Sequence, residues 1–218
     1  MTKRAPQGSP EIWLQAAYEV LTDAGVSSVK IMTLAKRTGL TRTGFYWHFR
    51  DLDALLDALV DRWEATNTGN LVARAGGPAE TITEAILYLF DCWIDPHLFD
   101  ARLDLAIRNW ALLDPGVKAR LDRADAERTH ALIAMFERFG YTRDEAEVRS
   151  LSVLYTQIGY ISMGVSDPLE LRQARIPYYA EVFTGLAPDG AELADFRQRH
   201  PASGSKPSVL LGDCTPKS

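Results

Sequence analysis

Residues 38–49 read TGLTRTGFYWHF, and this stretch decides which fold we expect for the chain. Gly39 can adopt a positive φ at no steric cost, Leu40 can fill the angle between two helices, and Thr41 is a favourable N-cap for the second. Two short helices joined by a tight turn form a helix-turn-helix, whose second helix enters the major groove of DNA. The stretch therefore predicts a helix-turn-helix around the turn at residues 39–41.

The helix after Thr41 is predicted to be amphipathic and to run to about Phe49. At about 100° per residue, Phe45 and Phe49 share the inner face of this helix. The residues expected to face outward are Arg42, Thr43, Tyr46 and Trp47. Exposed aromatic side chains suit a surface that meets phosphates, sugars and thymine methyl groups. The alternative is that these side chains, with His48 at the boundary, only pack the helix against its neighbours.

Apolar residues at helical spacing predict further helices on both sides of this unit. The first begins at Ser9 and Pro10, which suit a cap and a first helical position. Its expected apolar side consists of Ile12, Ala16, Tyr18, Val20 and Leu21. A second short helix precedes the turn, with Leu34 and Ala35 inward and Lys36 and Arg37 outward. A fourth helix spans 51–67, and its apolar stripe consists of Leu52, Leu55, Leu56, Leu59, Val60 and Trp63.

The first fifty residues are basic although the whole chain is acidic. They contain seven Lys or Arg and three Asp or Glu, a net charge of +4, whereas the whole chain carries -5. The remaining residues therefore carry -9. Such polarity indicates that the N-terminal segment faces a polyanion, and chance clustering of a few charges is the alternative.

The segment IMTLAKRTGLTRTGFYWHFRDLDALLDAL, residues 31–59, resembles the DNA-binding signature of the tetracycline-repressor (TetR) family. The match covers roughly residues 10–62, and the positions that fall in register together are Ala35, Gly39, Tyr46, His48 and Phe49. The resemblance implies an all-α protein with an N-terminal three-helix head, a connecting fourth helix and a larger C-terminal helical bundle, the body. It also implies a ligand-responsive repressor that binds a palindromic operator in double-stranded DNA as a homodimer.

The resemblance further implies which residues meet DNA. Arg42, Thr43 and Trp47 are candidates for base or backbone contacts, and Tyr46 and His48 for phosphate contacts. The complete expected set is Lys3, Arg4, Lys30, Thr41, Arg42, Thr43, Gly44, Tyr46, Trp47, His48 and Arg50. Within it, the two most N-terminal residues belong to a flexible arm that can add a minor-groove or backbone contact.

Two positions depart from the family pattern. Leu52 stands where the family usually has a lysine at the start of the fourth helix, which leaves Arg50 as the nearest substitute for that phosphate contact. Lys30 stands where the family tends to cap its second helix with a threonine, and this lysine can itself reach a phosphate.

The rest of the chain predicts a helical body and then a tail. Helices are expected near 79–95, 100–113, 116–139 and 144–165, which brings the total to about nine with a last segment at 167–186. In that segment Asp167 is the expected cap, and Pro177 predicts a kink or two short pieces. The expected domains are 1–50 for DNA binding and 51–186 for effector binding and dimerisation, with 51–67 connecting them. Residues 187–218 are expected to form a disordered tail.

A helix that is apolar around most of its circumference must be covered on both sides. The segment near 144–165 has this character, which predicts a homodimer interface. Its expected residues, joined by one from the last helix, are Leu151, Leu154, Ile158, Gly159, Ile161 and Phe183.

A small-molecule effector is expected in an apolar pocket of the body. Arg108 and Asn109 lie in an otherwise apolar helix and need polar partners: a carboxylate such as Asp91 or Asp95, the other subunit, or a ligand. The expected pocket residues are Trp93, Phe99, Arg108, Trp110 and Tyr155.

Other classes of protein are less favoured by the sequence. No nucleophile–base pair, paired carboxylates or glycine-rich phosphate loop is recognisable, so an enzyme is not expected, and neither a cofactor nor a metal site is predicted. No apolar run reaches the roughly 20 residues of a membrane span, and two cysteines make no disulfide framework, so a cytoplasmic protein is expected. The alternative function is a helical interaction or ligand-binding module that has lost DNA binding.

Overall fold

The structure is a computed structural model that describes residues 8–201, and in this range it is helical, without a β-strand. Its α-helices are α1 (Pro10–Ala24), α2 (Ile31–Thr38), α3 (Arg42–Tyr46), α4 (Leu52–Trp63), α5 (Asn70–Ala75), α6 (Ile82–Ile94), α7 (Ala101–Ala111), α8 (Pro115–Arg138), α9 (Arg143–Ser162), α10 (Leu169–Thr184) and α11 (Gly190–Arg199). The all-α prediction is confirmed. Helices α5 and α11 are additional to the nine helices expected.

The head is built around two large aromatic side chains. Trp13 of α1 and Phe45 of α3 are fully buried, and their rings meet edge to face with centroids 5.3 Å apart. Phe49 packs beside Phe45 at 5.6 Å. Each such buried aromatic contributes roughly 1.5–3 kcal/mol relative to an exposed one, so these contacts hold the short α3 against α1.

The apolar side of α1 differs in part from the expected one. Trp13 and Ala17 are buried together with Ala16, whereas Ile12 is 45% exposed. The expectation for Ile12 was wrong because its position at the first turn lies away from the face that Trp13 directs inward. On α4, four residues of the predicted stripe, Leu55, Leu59, Val60 and Trp63, are buried, whereas Leu52 and Leu56 are half-buried.

The fourth helix extends beyond the predicted end at 67. A π-helical segment, Glu64–Gly69, joins α4 to α5 as one continuous rod that ends at Ala75. Asn67 is fully buried within this segment. Its amide donates to the carbonyl of Asp100 at 3.0 Å and its side-chain oxygen accepts from the Asp100 N–H at 2.9 Å. The segment is therefore fastened to the start of α7.

A buried charge network joins this rod to α7 and α8. Asp104 accepts from Trp63 Nε1 at 2.8 Å and from Arg108 Nε at 2.8 Å, and pairs with Arg128 at 3.2 Å. Arg108 also forms a double hydrogen bond with Asp125, with both distances 2.8 Å. The two arginines and two aspartates balance in charge, so Arg108 is held by carboxylates of α7 and α8.

This network corrects the expectation for Arg108 and Asn109. The carboxylate partners of Arg108 are Asp104 and Asp125, neither of the two suggested from the sequence. Asn109 is exposed and needs no internal partner. The reason is that Arg108 lies on the side of α7 that faces α8, which local spacing alone does not reveal.

The hydrophobic core of the head continues into the body. Leu103, Ile107 and Trp110 of α7 pack in one cluster with the buried side chains of α1 and α4. A second cluster fills the space between α5, α6, α8, α9, α10 and α11. Helices α7 and α8 both contribute side chains to the two clusters and so link head and body.

Helix α10 is continuous through Pro177, so of the two expected outcomes, a kink or two short pieces, the division into two pieces does not occur. Asp167 is not its cap: the helix begins after Pro168, without a side-chain cap, and Asp167 instead pairs with Arg175 at 2.7 Å. This ion pair lies across the first turns of the helix and uses the carboxylate that a capping box would need.

The tail predicted from Ala187 is wrong for the residues that form α11. Asp189 caps this helix in a capping box with Glu192, and Phe196 is 2% exposed in the core of the body. His200 Nε2 lies 2.6 Å from the buried carboxylate of Asp91 on α6. One buried aromatic side chain and one hydrogen bond therefore dock a segment whose composition resembles a linker. Residues 202–218 lie outside the described range.

Candidate nucleic-acid interface

The turn between α2 and α3 has the predicted geometry. Gly39 has φ 69° and ψ 15°, the left-handed conformation that glycine adopts without steric cost. Thr41 lies in extended conformation before α3 and its Oγ1 accepts from Gly44 N at 3.1 Å. Leu40 packs half-buried against the core of the head. The predictions for Gly39, Leu40 and Thr41 are confirmed.

Helix α3 presents an exposed edge, defined here as the α3 edge: Arg42, Thr43, Tyr46 and Trp47. Trp47 is 66% exposed and Tyr46 51%, whereas Phe45 between them and Thr43 is fully buried. The Tyr46 ring rests edge to face on Phe45 with centroids 5.4 Å apart. Tyr46 and Trp47 are thus exposed to solvent, and the Tyr46 ring packs on the buried ring of Phe45.

Helix α3 ends at Tyr46, three residues before the predicted end. Trp47 and His48 follow in a turn in which His48 N donates to the Phe45 carbonyl at 2.9 Å. His48 is half-buried, at the boundary where it was expected.

Gly44 is buried and does not belong to the exposed edge. Its N–H is directed to Thr41 Oγ1 within the first turn of α3. Gly44 therefore supports the first turn of α3, and its contact with DNA remains a prediction.

Basic residues flank the α3 edge. Lys30 is exposed at the position before α2, where no side chain caps the helix. Arg50 is exposed and pairs with Asp51 at 2.7 Å. Asp51 also caps α4, since its Oδ1 accepts from Ala54 N at 2.8 Å. The Asp51 carboxylate at the start of α4 therefore makes both a helix cap and an ion pair. Lys3 and Arg4, the predicted arm, lie outside the described residues.

A shallow groove beside α3 contains residues that the sequence reasoning missed. Met32 and Thr33 of α2 line it together with Lys36 and Arg42. Met32 is 62% exposed, which is unusual for a large apolar side chain. Met32 lies two residues before the buried Leu34, which at about 100° per residue places it on a different side of α2, and this spacing was the available signal. Lys36 and Arg37 are outward as predicted, and Arg37 pairs with Glu19 at 2.7 Å.

The five predicted pocket residues are not brought together. Trp93 and Phe99 line one cavity at the junction of head and body, which also reaches Tyr18 of α1. Trp110 is buried in the core that α7 shares with the head, and Tyr155 is 62% exposed on α9. Arg108 lies in the buried charge network, so the structure does not bring the five residues to one cavity.

An apolar cavity lies instead between α6, α9 and α10. Its walls include Phe90, Trp93, Val153, Ile176 and Phe183, and its empty volume is about 570 Å³, part of it open to solvent. Small-molecule pockets are lined predominantly by hydrophobic and aromatic side chains with a few polar groups. The cavity has the apolar lining that such ligands require.

The predicted interface residues separate into two groups. Leu154, Ile161 and Phe183 are buried within this chain, so they cannot face a second copy. The others, Leu151, Ile158 and Gly159, are half-buried. The side of α9 that faces solvent is therefore different from the predicted one. Its exposed apolar side chains are Val148 and Tyr155.

Among residues 8–201, no helix is long and apolar enough to cross a membrane. In the same range, no cluster of His, Cys, Asp and Glu has the arrangement of a metal site.

Comparison with known proteins places the helix-turn-helix in a family. A family model described as bacterial regulatory proteins, tetR family, matches residues 14–59, which hold most of α1, all of α2 and α3, and part of α4. The class A tetracycline repressor protein from transposon 1721 of Escherichia coli is 39% identical over 66 residues, 30% of this chain and 31% of that protein. The class C tetracycline repressor protein of Escherichia coli is 24% identical over 154 residues, 69% of this chain and 64% of that protein.

The chain thus spans about a third of the first relative and less than two thirds of the second.

The fold of the whole described chain, including the body, is similar to that of solved structures. A transcriptional regulator of the TerR/AcrR family from Aquifex aeolicus VF5 superposes with a TM-score of 0.61 at 14% identity, over 82% of this chain and 96% of that one. The N-terminal segment is thus similar to the bacterial regulatory proteins of the tetR family, and the all-α fold is similar to that of a solved transcriptional regulator.

Proposed function

We propose that this protein is a ligand-responsive transcriptional repressor that binds a palindromic operator in double-stranded DNA as a homodimer. The observation that carries the proposal is the α3 edge, where Tyr46 and Trp47 stand in solvent above a rigid aromatic core. A solvated helix gains nothing from such exposure, whereas a DNA groove offers phosphates, sugars and thymine methyl groups to these side chains.

Each residue of the α3 edge has a role that its position supports. Arg42 and Thr43 at the start of α3 are the side chains nearest to base edges in a helix-turn-helix. Trp47 contacts base or backbone, and Tyr46 and His48 contact phosphates. Lys30 and Arg50 add positive charge on either side, so binding is expected to weaken steeply with salt.

A homodimer is proposed because one short recognition helix reads too little DNA. Two-fold symmetry places two recognition helices one helical turn apart, about 34–36 Å. Helices α9 and α10 pack on each other, and both leave apolar side chains in solvent: Val148 and Tyr155 on α9, and Tyr178 and Val182 on α10. Within each helix these residues lie seven or four apart, on one face. We assign the dimer contact to this face.

The cavity between α6, α9 and α10 is the proposed effector site. Trp93 belongs both to its wall and to the neighbouring cavity that reaches Tyr18 of α1. Arg102 at the start of α7 pairs with Asp23 of α1 at 2.7 Å. A ligand that moves this wall therefore acts on elements that contact the head. It lowers operator affinity by as much as it prefers the state with misplaced heads.

Each proposed domain has its own role. Residues 1–50 bind DNA, residues 51–186 connect, bind effector and dimerise, and α11 completes the body. The protein acts in the cytoplasm, where the bacterial chromosome lies, and the comparison with regulators supports a role other than that of an enzyme.

The test begins with selection of an operator from a random library of duplex DNA. Fluorescence anisotropy then compares the wild type with Trp47→Ala. Loss of this contact is expected to weaken specific binding by about 1–3 kcal/mol, roughly ten- to a hundredfold, because a base or backbone contact is removed. Leu112→Ala is the control, since Leu112 is an equally exposed apolar residue remote from α3.

Both variants should remain dimers in sedimentation velocity. Unchanged affinity of Trp47→Ala would contradict the assigned role of Trp47. If no operator is selected and duplex DNA does not bind even at low salt, the alternative holds, a helical module that has lost DNA binding.

A further inference from the structure

The cavity between α6, α9 and α10 has an aromatic wall. The rings of Phe90 and Phe183 are nearly parallel, with an interplanar angle of 20° and centroids 6.4 Å apart, and Tyr179 lies beside Phe183 at 6.0 Å. Val153 and Ile176 add aliphatic surface. Removing apolar ligand surface from water is favourable by about 25 cal/mol per Å², so this wall selects a lipophilic ligand body.

Two hydrogen-bond donors in the same lining have no partner. Trp93 Nε1 and the Tyr160 hydroxyl are buried from solvent, and neither makes a hydrogen bond within the described residues. Both residues line the cavity. An indole N–H can only donate, so the complementary ligand atom is an acceptor.

The charge at the mouth of the cavity is positive. Asp167 is engaged by Arg175 at 2.7 Å. Arg172 donates to the backbone carbonyl of Trp93, and its guanidinium lies 5.8 Å from the centroid of the Tyr160 ring. Among residues 8–201, no carboxylate lies within ion-pair distance of Arg172. The Arg172 guanidinium, which lies in the same lining as the two unpartnered donors, therefore lacks a counter-charge.

We propose that the effector of this repressor is a lipophilic carboxylate whose anionic group lies against Arg172, Tyr160 and Trp93. The assignment rests on the proposed function and names the ligand class of its effector site. Arginine matches a carboxylate with paired N–H donors, and charge-assisted hydrogen bonds are about twice as strong as neutral ones. The aromatic wall holds the apolar part of the ligand. A cationic ligand is disfavoured, because it would place its charge beside an unpaired guanidinium.

The test uses isothermal titration calorimetry on the full chain with three carboxylates: octanoate, 4-phenylbutyrate and 2-naphthoate. Each is compared with the amide and the primary amine of the same skeleton, so that only the charged group changes. The best carboxylate is expected to bind roughly ten- to a hundredfold more tightly than its amide, because it gains hydrogen bonds to a charged group. The amines are expected to bind most weakly.

Variants locate the effect. Arg172→Gln is expected to remove most of the preference for carboxylate over amide, and Arg172→Lys to retain part of it. Tyr160→Phe is expected to weaken carboxylate binding about two- to tenfold through loss of one hydrogen bond. Arg143→Gln is the matched control, since Arg143 is an exposed arginine at the first turn of α9, remote from the cavity.

Two results would overturn the inference without any variant: amides that bind as tightly as their carboxylates, or no binding by any of the nine compounds. Operator binding is measured separately. A carboxylate preference in a protein that binds no operator would leave the site standing and remove the proposed function. Operator binding without a carboxylate preference would leave the proposed function standing and remove the assigned ligand class.

Discussion

Trp47 and Tyr46 stay exposed because their neighbours Phe45 and Phe49 occupy the core. In a helix of only five residues, little stability comes from the helix itself, since short helices are marginal in water. The contacts of Phe45 with Trp13 and the cap by Thr41 therefore orient the α3 edge. In the proposed function, these residues orient the α3 edge for DNA without themselves reaching a base.

Replacement of Thr41 by alanine is expected to lower the free energy of unfolding by about 1 kcal/mol, because the Gly44 N–H loses its acceptor. Thr41→Ser keeps the hydroxyl and should restore most of this loss. Urea denaturation followed by circular dichroism measures the effect. Thr43→Ala is the control, since Thr43 is exposed on the same helix and caps nothing. Equal stability of Thr41→Ala and Thr43→Ala would contradict the capping role.

Cys92 is expected to be inert in the folded protein. It is fully buried on α6, and burial raises the pKa of its thiol to about 12. Since the thiolate is the reactive form, a Cys214→Ser variant should not react with Ellman's reagent at pH 8 until it is unfolded. Rapid reaction of the native variant would show that Cys92 is accessible.

Helices α4, α7 and α8 are joined by charge as well as by apolar packing. Arg128 is 1% exposed and lies over the ring of Trp63 at 5.0 Å, while Asp104 is fully buried. Buried ion pairs add little net stability compared with apolar packing, but loss of one partner is costly because a charge is left uncompensated. The network therefore penalises any displacement of α4 relative to α7, which suits the helix that connects head and body.

Asp104→Asn is expected to lower the free energy of unfolding by about 3–5 kcal/mol at pH 7, because Arg128 and Arg108 keep their charges and lose a counter-charge. Asp122→Asn is the matched control. Asp122 forms an exposed pair with Lys118 on α8, and such pairs contribute only about 0.3–0.5 kcal/mol. A loss in Asp104→Asn no larger than in this control would contradict the structural role of the network.

The effect of Asp104 should depend on pH. Burial acts to raise the pKa of Asp104, but the charges of Arg128 and Arg108 and the hydrogen bonds from Arg108 and Trp63 outweigh it and hold the pKa below its ordinary value. The stability that this carboxylate contributes is present above its unfolded pKa of about 3.9 and is lost as the pH falls through the lower folded pKa. Denaturation at pH 7 and below pH 4 should therefore show the gap between wild type and Asp104→Asn closing in acid.

The charge of the chain is unevenly distributed, and among the described residues α9 and α10 expose apolar side chains at the side of the body. Its first fifty residues are basic and the remainder strongly acidic, so DNA attracts the head and repels the body. Tyr155 and Val182 are 62% and 74% exposed on adjacent helices at the side of the body. A monomer would leave this surface in water, whereas a two-fold dimer buries it and pairs the heads.

The double variant Tyr155→Asp, Val182→Asp is expected to be monomeric, because four carboxylates would face one another across the two-fold axis. Sedimentation velocity measures the association state, and anisotropy should show weakened operator binding, since the two recognition helices are no longer linked. Leu112→Asp is the control, as Leu112 is 79% exposed at the end of α7 and outside this face. A double variant that remains dimeric would place the interface elsewhere.

The sequence by itself determined the head, because its signals are local. Gly39, Thr41 and the four-residue spacing of Phe45 and Phe49 act within one or two turns of helix, and the structure has each as predicted. The three body helices from α7 to α9 also have ends within about three residues of those predicted, since capping and apolar periodicity are properties of neighbouring residues.

Only the tertiary structure decided which side chains meet in the body. Arg172 and Trp93 are 79 positions apart, and His200 and Asp91 are 109 apart, so no local pattern links them. The helical phase of α9, the partners of Arg108 and the docking of α11 were mispredicted for the same reason. Each depends on which helix faces which, and this is set by the summed burial of many side chains rather than by the residues next to one another in the chain.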